Sequence, residues 1–311
     1  MKDVIVIAGP TASGKTALSV ELAKRLNGEI ISADSMQIYK YMDIGTAKPT
    51  AEEMQGIRHY LIDEVLPSEE FNVVKFQELA NKFIEEILQR GKQPVIAGGT
   101  GLYISSLVNN ISFSETECDW ELRKTLEREA QLYGPQFLHD KLREVDPVSA
   151  GNIHPNNLKR VIRALEVYSQ TLKPISHHNE ISRAVPSGYN FILFGLTMDR
   201  QLLYQKINKR VDIMLERGLV KEVEKLVEMG FANSITSMQG IGYKEILSYL
   251  RNETTLGEAV ETIKRDSRRY AKRQMTWFKR INEINWISID NYGNNNNITE
   301  DVIARINSIK T

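Results

Sequence analysis

Residues 4–16 read Val-Ile-Val-Ile-Ala-Gly-Pro-Thr-Ala-Ser-Gly-Lys-Thr, and they decide the fold. Val4–Ile7 is a β-branched run of the kind found in a buried parallel strand. It breaks at Gly9, and Gly9-Pro10-Thr11-Ala12-Ser13-Gly14-Lys15-Thr16 matches G-x-x-x-x-G-K-[ST] at every position. From Thr16 the segment TALSVELAKRL has helical spacing, with Leu18, Leu22, Ala23 and Leu26 on one face. Strand, loop and helix therefore follow in the order of a P-loop. The glycines let successive backbone N–H groups converge on an anion, and the helix N-terminus adds partial positive charge. In such a loop Lys15 reaches the outer phosphate and the Thr16 hydroxyl sits on Mg²⁺. The motif specifies a phosphate cradle and leaves its ligand open; alone it suggests ATP or GTP.

A chain of 311 residues suits one large α/β domain or a core with an insertion. Its 41% hydrophobic and 26% charged residues are those of an ordinary soluble globular protein. Met1-Lys2-Asp3 leads straight into a strand, unlike a signal peptide, and no apolar run approaches the ~20 residues of a membrane helix. No membrane partner is expected. Cys118 is the only cysteine, which excludes an intrachain disulfide or a cysteine metal cluster and points to a reducing, cytoplasmic setting. With 40 basic and 40 acidic side chains, only local clustering can argue for a nucleic-acid partner.

The first helix closes at Asn27-Gly28, and Glu29–Ser32 forms a second strand followed by Asp34-Ser35-Met36-Gln37. In an open parallel sheet the C-terminal strand edge is where ligands sit, so Asp34 is a carboxylate placed beside the P-loop. An N-cap or an outer contact to Mg²⁺ are its plainer readings. Residues 41–49 read as a loop bounded by Pro49, and Arg58–Asp63 as a short strand ending in an acid too common at strand ends to signal a metal. Phe71–Arg90 is an amphipathic helix, with Val74, Leu79, Phe83, Ile84, Ile87 and Leu88 predicted inward. Gln93–Ala97 then runs as a strand into Gly98-Gly99-Thr100-Gly101. This turn carries no acid; it favours close approach of a ligand and brings the Thr100 hydroxyl to the edge that holds Asp34. A plain strand-to-helix turn is the alternative.

Between residues 115 and 186 the strand pattern stops. Trp120–Tyr133, Gln136–Glu144 and Asn156–Gln170 read as helices separated by Pro-containing breaks, giving an all-helical insertion. Lys159, Arg160 and Arg163 fall within a turn of one another, most simply on a solvated face. Tyr189–Thr197 returns to the sheet. Arg210 lies on the next helix, opposite Leu203, Ile207, Val211 and Met214, where it faces solvent or reaches anions bidentately. The loop 234–243 is rich in small residues, and Ile284–Ile289 is a last strand. The stretch 264–280 holds eight basic residues and one acid. Arg265, Arg268, Arg269, Lys272 and Arg273 share a helical face, with Tyr270, Trp277 and Phe278 interleaved and the usual acidic balance missing. Such a stripe suits a phosphate backbone. The predicted fold is α/β: a P-loop NTPase-like parallel sheet flanked by helices (1–114 and 187–311, with C-terminal helices) and an all-helical insertion domain (115–186).

GPTASGKT, ISADSMQIYKYMDIGTAKP, VIAGGTGLY, RALEV and RRYAKRQMTWFKR together resemble the bacterial tRNA dimethylallyltransferase (isopentenyltransferase) family, from Val4 to about Arg280. The segment ISADSMQIYKYMDIGTAKP is far more specific than the P-loop. The resemblance implies transfer of a dimethylallyl group from dimethylallyl diphosphate to the exocyclic N6 amine of the adenosine 3′ of the tRNA anticodon. It implies that Gly9–Thr16 (Gly9, Pro10, Thr11, Ala12, Ser13, Gly14, Lys15 and Thr16) hold the donor's diphosphate with Mg²⁺ on Thr16. By the same resemblance Asp34 is the general base, Thr100 orients the donor's bridging oxygen, and Arg210 binds pyrophosphate. It further implies that the insertion grips the anticodon stem-loop. Its tRNA-contacting positions fall on Asp34, Ser35, Met36, Gln37, Thr100, Arg123, Lys159, Arg160, Arg163, Ser234, Gln239, Ser267, Arg268, Arg269, Lys272, Arg273 and Gln274. Gln239 stands where some relatives carry an arginine. A monomer is expected. Two other classes fit parts of the pattern: a P-loop kinase using ATP, which turns over without RNA, and a free-adenylate isopentenyltransferase, which acts on AMP and has no need of the basic helix.

Overall fold

In the computed structural model, which describes residues 2–111, 118–183, 187–292 and 295–310, parallel strands form one six-stranded sheet. They are β1 (Lys2–Ala8), β2 (Gly28–Ser32), β3 (His59–Tyr60), β4 (Gln93–Gly98), β5 (Tyr189–Thr197) and β6 (Asn285–Ser288), in the order β3-β2-β4-β1-β5-β6. The helices are α1 (Lys15–Arg25), α2 (Ala51–Met54), α3 (Val73–Gln89), α4 (Gly101–Val108), α5 (Trp120–Tyr133), α6 (Pro135–Val145) and α7 (Pro147–Asn152). They continue as α8 (Leu158–Thr171), α9 (Ile175–Arg183), α10 (Arg200–Glu216), α11 (Leu219–Glu228), α12 (Tyr243–Leu250), α13 (Leu256–Phe278) and α14 (Asn295–Lys310). Two compact units result, Met1–Leu107 with Gly188–Thr311, and Val108–Ser187. The expected edges of the insertion fall at residues 112–117 and 184–186, which lie outside the described residues.

The sheet forms where the β-branched run demands it. Val4–Ala8 is wholly buried, with Ile5 paired to Val95 on β4 and to Ile192 on β5. Being apolar on both faces, β1 is stable only at the sheet centre. Leu18, Leu22 and Ala23 of α1 bury one face together with Ile298, Val302 and Ile306 of α14. Chain direction reverses around β1: the first connections run to β2 and β3, and the later ones to β5 and β6. The C-terminal ends of β1, β2 and β4 meet at this switch, where ligands bind in open α/β sheets.

Two details correct the sequence reading. The buried stripe of α3 is Phe76, Ala80, Ile84 and Ile87, while Val74, Leu79, Phe83 and Leu88 are half-buried. The Asn72 side chain caps this helix and sets its rotation. In the helical unit α7 and α9 add to the three expected helices, and Asp146 explains both. Its carboxylate caps α7 through the Ser149 amide and accepts from the amide and hydroxyl of Ser176 at the start of α9. Six- and nine-residue helices carry too little periodicity to be read from sequence. Leu126, Leu138, Leu142, Val161 and Ile162 form this unit's own core.

Candidate active site

The loop 9–16 turns from β1 into α1 through Gly14, whose φ of 83° is a left-handed conformation that a side chain would strain. Lys15 lies over this loop, its ammonium donating to the Pro10 carbonyl at 2.7 Å. Burial lowers the Lys15 pKa to about 7, helped by the positive Arg210 and opposed by Asp34. Arg210 reaches in from α10, donating to the Thr11 hydroxyl at 3.3 Å, and burial lowers its pKa as well. Two cations thus crowd a desolvated pocket, and the Ser13 hydroxyl is buried there without a partner. Such a place is held ready for an anion.

Asp34 follows β2 at the same edge. Its Oδ1 accepts from the Met36 amide at 2.9 Å. Burial raises its pKa above the ordinary value, against that amide, Lys15 and Arg210. The Thr100 hydroxyl accepts from the Ser35 amide at 3.1 Å, which ties the turn after β4 to the turn after β2. Gly99 packs against α13: a Cβ there would lie 2.2 Å from the Gln274 amide nitrogen.

These elements surround a cavity of about 830 Å³. Thr11–Thr16, Asp34–Gln37, residues 43–49, α10, Gln239 and the inner face of α13 line it. Gly9, Pro10 and Thr100 are not among its lining residues. The loop 43–49 is shaped by Glu222 of α11. One carboxylate oxygen accepts from the Asp43 and Ile44 amides at 2.9 and 2.8 Å, the other from the Gly45 amide at 3.1 Å and the Tyr243 hydroxyl at 2.7 Å. Nothing local in the sequence marks Glu222, which acts 178 residues from Ile44.

The basic helix differs from its expected form. Asp266 pairs with Arg265 at 3.1 Å and Arg269 at 3.4 Å, and Lys264 pairs with Asp212 at 2.8 Å, so an acidic balance is present on part of the face. Arg268 donates to Asn208 at 2.6 Å. Lys272 and Arg273 are exposed with no ion pair among the described residues. The aromatic residues turn inward: Tyr270 lines the cavity, Trp277 donates to the Ser105 hydroxyl at 2.9 Å, and Phe278 is wholly buried. Tyr270 and Trp277 are half-buried. Ser267, Arg273 and Gln274 line the cavity, whereas Arg268, Arg269, Lys272 and Ser234 do not. In the helical unit Lys159 and Arg160 are exposed, while Arg123 and Arg163 both bind the buried Glu166, at 2.9 and 2.6 Å. Glu166 holds the two guanidiniums in one orientation, a role its position on α8 does not advertise.

A model of the IPP transferase family matches residues 37–281. The tRNA dimethylallyltransferase of Acetivibrio thermocellus is 65% identical over 302 residues, 97% of this chain and 96% of that protein. That of Lachnoclostridium phytofermentans is 52% identical over 303 residues, 97% of each chain. The crystal structure of the full-length tRNA isopentenylpyrophosphate transferase of Bacillus halodurans superposes with a TM-score of 0.73 and 46% identity, covering 99% of this chain and 98% of that one. A eukaryotic dimethylallyltransferase acting on tRNA superposes with a TM-score of 0.78 and 34% identity, over 93% of this chain and 74% of that one.

Proposed function

The chain belongs to the IPP transferase family and acts as a tRNA dimethylallyltransferase, and from that premise we propose how its cavity performs the transfer. The diphosphate of dimethylallyl diphosphate sits on Thr11–Thr16, against Lys15 and Arg210. The exocyclic N6 amine of the adenosine 3′ of the anticodon enters beside Asp34. Its lone pair forms the bond to C1 of the donor as the C1–O bond breaks, and those electrons leave on pyrophosphate. The N6 proton passes to the Asp34 carboxylate. One observation carries this reading: the cavity that buries the two cations also buries an acid held by a backbone amide. A cradle for phosphate alone does not require that acid.

Each group has a physical task. Charge builds on the leaving oxygens, and fixed cations in a dry pocket stabilise it at little reorganisation cost, usually the largest catalytic contribution. An exocyclic amine is a poor nucleophile, and a buried carboxylate of raised pKa accepts its proton readily, worth roughly 10²–10⁴-fold. Thr100 orients the donor's bridging oxygen. Mg²⁺ takes most of its ligands from phosphate and water, so a diphosphate seat with one protein hydroxyl suits it. The Thr16 hydroxyl, at the cavity wall, would hold it with the diphosphate oxygens, where it would neutralise charge.

The adenine must leave its stack to reach Asp34 in this cavity. Asp34–Gln37, Thr100 and Gln239 then meet the flipped base and its neighbours, and Ser234, Ser267, Arg268, Lys272 and Arg273 meet the backbone. Arg123, Lys159, Arg160 and Arg163 grip the anticodon arm. The test is incubation of radiolabelled dimethylallyl diphosphate with unmodified tRNA and, separately, with AMP and ATP. Label in the tRNA alone supports the reading; label in AMP, or phosphate release from ATP without RNA, overturns it.

A further inference from the structure

We propose that Gln274 is a positioning residue for the donor site, fixing the spacing between the phosphate loop and the glycine turn after β4. It rests on the reading of that loop as the diphosphate seat. The ladder between β1 and β4 ends at Ala8 and Gly98. Beyond it, the described residues 9–13 and 99–101 share no backbone hydrogen bond. Gln274 spans the gap. Its Oε1 accepts from the Thr11 amide at 2.9 Å and its Nε2 donates to the Gly99 carbonyl at 2.9 Å. An amide can only donate and a carbonyl only accept, so this orientation of the carboxamide is the one that satisfies both. Gln274 is 5% exposed, and both ends of its carboxamide are engaged. Although it lies at the cavity wall, that is the environment of a strut.

The neighbours of Gln274 make the strut stiff. One turn along α13, Trp277 donates to Ser105, and a Cβ on Gly101 would come within 2.4 Å of its ring. On the other wall, Thr11 also carries the contact from Arg210 on its hydroxyl. The Thr11 residue is thus held at its amide by Gln274 and at its side chain by the pyrophosphate-facing arginine. Releasing the amide lets the first turn of the phosphate loop shift against Arg210, and ångström displacements of binding groups are expensive.

The test uses Gln274→Met, of similar length but without hydrogen bonds, and Gln274→Asn, which keeps the carboxamide but is one methylene too short to reach Thr11 and Gly99 together. Four quantities are measured: pyrophosphate Kd by calorimetry, KM for dimethylallyl diphosphate, tRNA Kd by filter binding, and melting temperature. For Gln274→Met the pyrophosphate Kd and donor KM rise about tenfold while tRNA Kd stays within about twofold. Gln274→Asn shows a smaller rise of about threefold in the same two quantities. A weakened tRNA Kd with unchanged pyrophosphate Kd, or no change in either, overturns the proposal. Should Gln274→Met melt below the assay temperature, Gln274→Asn decides by the same criteria. Failure of the wild-type protein to bind pyrophosphate overturns the diphosphate seat itself, and the proposal with it.

Discussion

The Lys15 ammonium bends back to donate to the Pro10 carbonyl, 2.7 Å away, inside the loop it is placed to serve. Burial first, and Arg210 second, bring its pKa to about 7. Above that pH the free protein holds a largely neutral lysine, and an arriving diphosphate raises the pKa and recharges it. Pyrophosphate binding therefore takes up little proton near pH 6 and close to one near pH 8. Calorimetry in two buffers of different ionisation enthalpy measures this, and Lys15→Met abolishes the uptake. Equal uptake at both pH values would refute the assignment.

The cations of α13 are unequal. Arg269 is already paired with Asp266, whereas Lys272 is exposed and makes no ion pair among the described residues. Lys272→Ala is expected to lower the slope of log K for tRNA against log salt by about 0.7–0.9, and Arg269→Ala by clearly less. Filter binding across a salt series decides; equal slopes for both variants would show that the Asp266 pair does not matter.

Glu222 satisfies three loop amides and the Tyr243 hydroxyl. In Glu222→Ala all four lose their partner, at a cost of about 2–3 kcal/mol in urea unfolding. Amides 43–45 should exchange faster while those of β1 stay protected. Unchanged exchange at 43–45 would mean the loop keeps its shape without the carboxylate.

At the other end of the sheet Glu29 is 4% exposed. Burial alone would raise its pKa, but hydrogen bonds from Lys92, Tyr60 and Arg90 bring it down to about 2. A depressed acid stabilises the fold above its unfolded value of 4.5 and loses that contribution as pH falls towards 2. The contribution is on the order of 3 kcal/mol. Glu29→Gln should flatten stability against pH in that window; an unaltered acid limb would contradict it.

The legible parts of this protein are local. Residues 4–26 form strand, loop and helix because burial and glycine geometry act within a few residues, and Asp34 and Thr100 likewise follow strands at the sheet edge. Along α13 the spacing placed the cations on one side, yet it held no information on α10, whose Asn208 takes Arg268 and whose Asp212 takes the neighbouring Lys264. For the same reason the spacing interleaves Tyr270, Trp277 and Phe278 with the cations but does not show that Phe278 is buried or that Trp277 bonds Ser105. Glu222 and the two-ended role of Gln274 depend on partners more than 170 residues away. Only the closed fold brings them together.

The central claim is that Asp34 takes the proton of the attacking amine. Its most direct test is single-turnover transfer from dimethylallyl diphosphate to saturating tRNA by wild-type protein and Asp34→Asn, with tRNA Kd measured alongside. The expected result is a transfer rate lowered roughly 10²–10⁴-fold with tRNA Kd within about twofold. Transfer at the wild-type rate, or a collapse of tRNA affinity with the rate of the bound complex preserved, would contradict it.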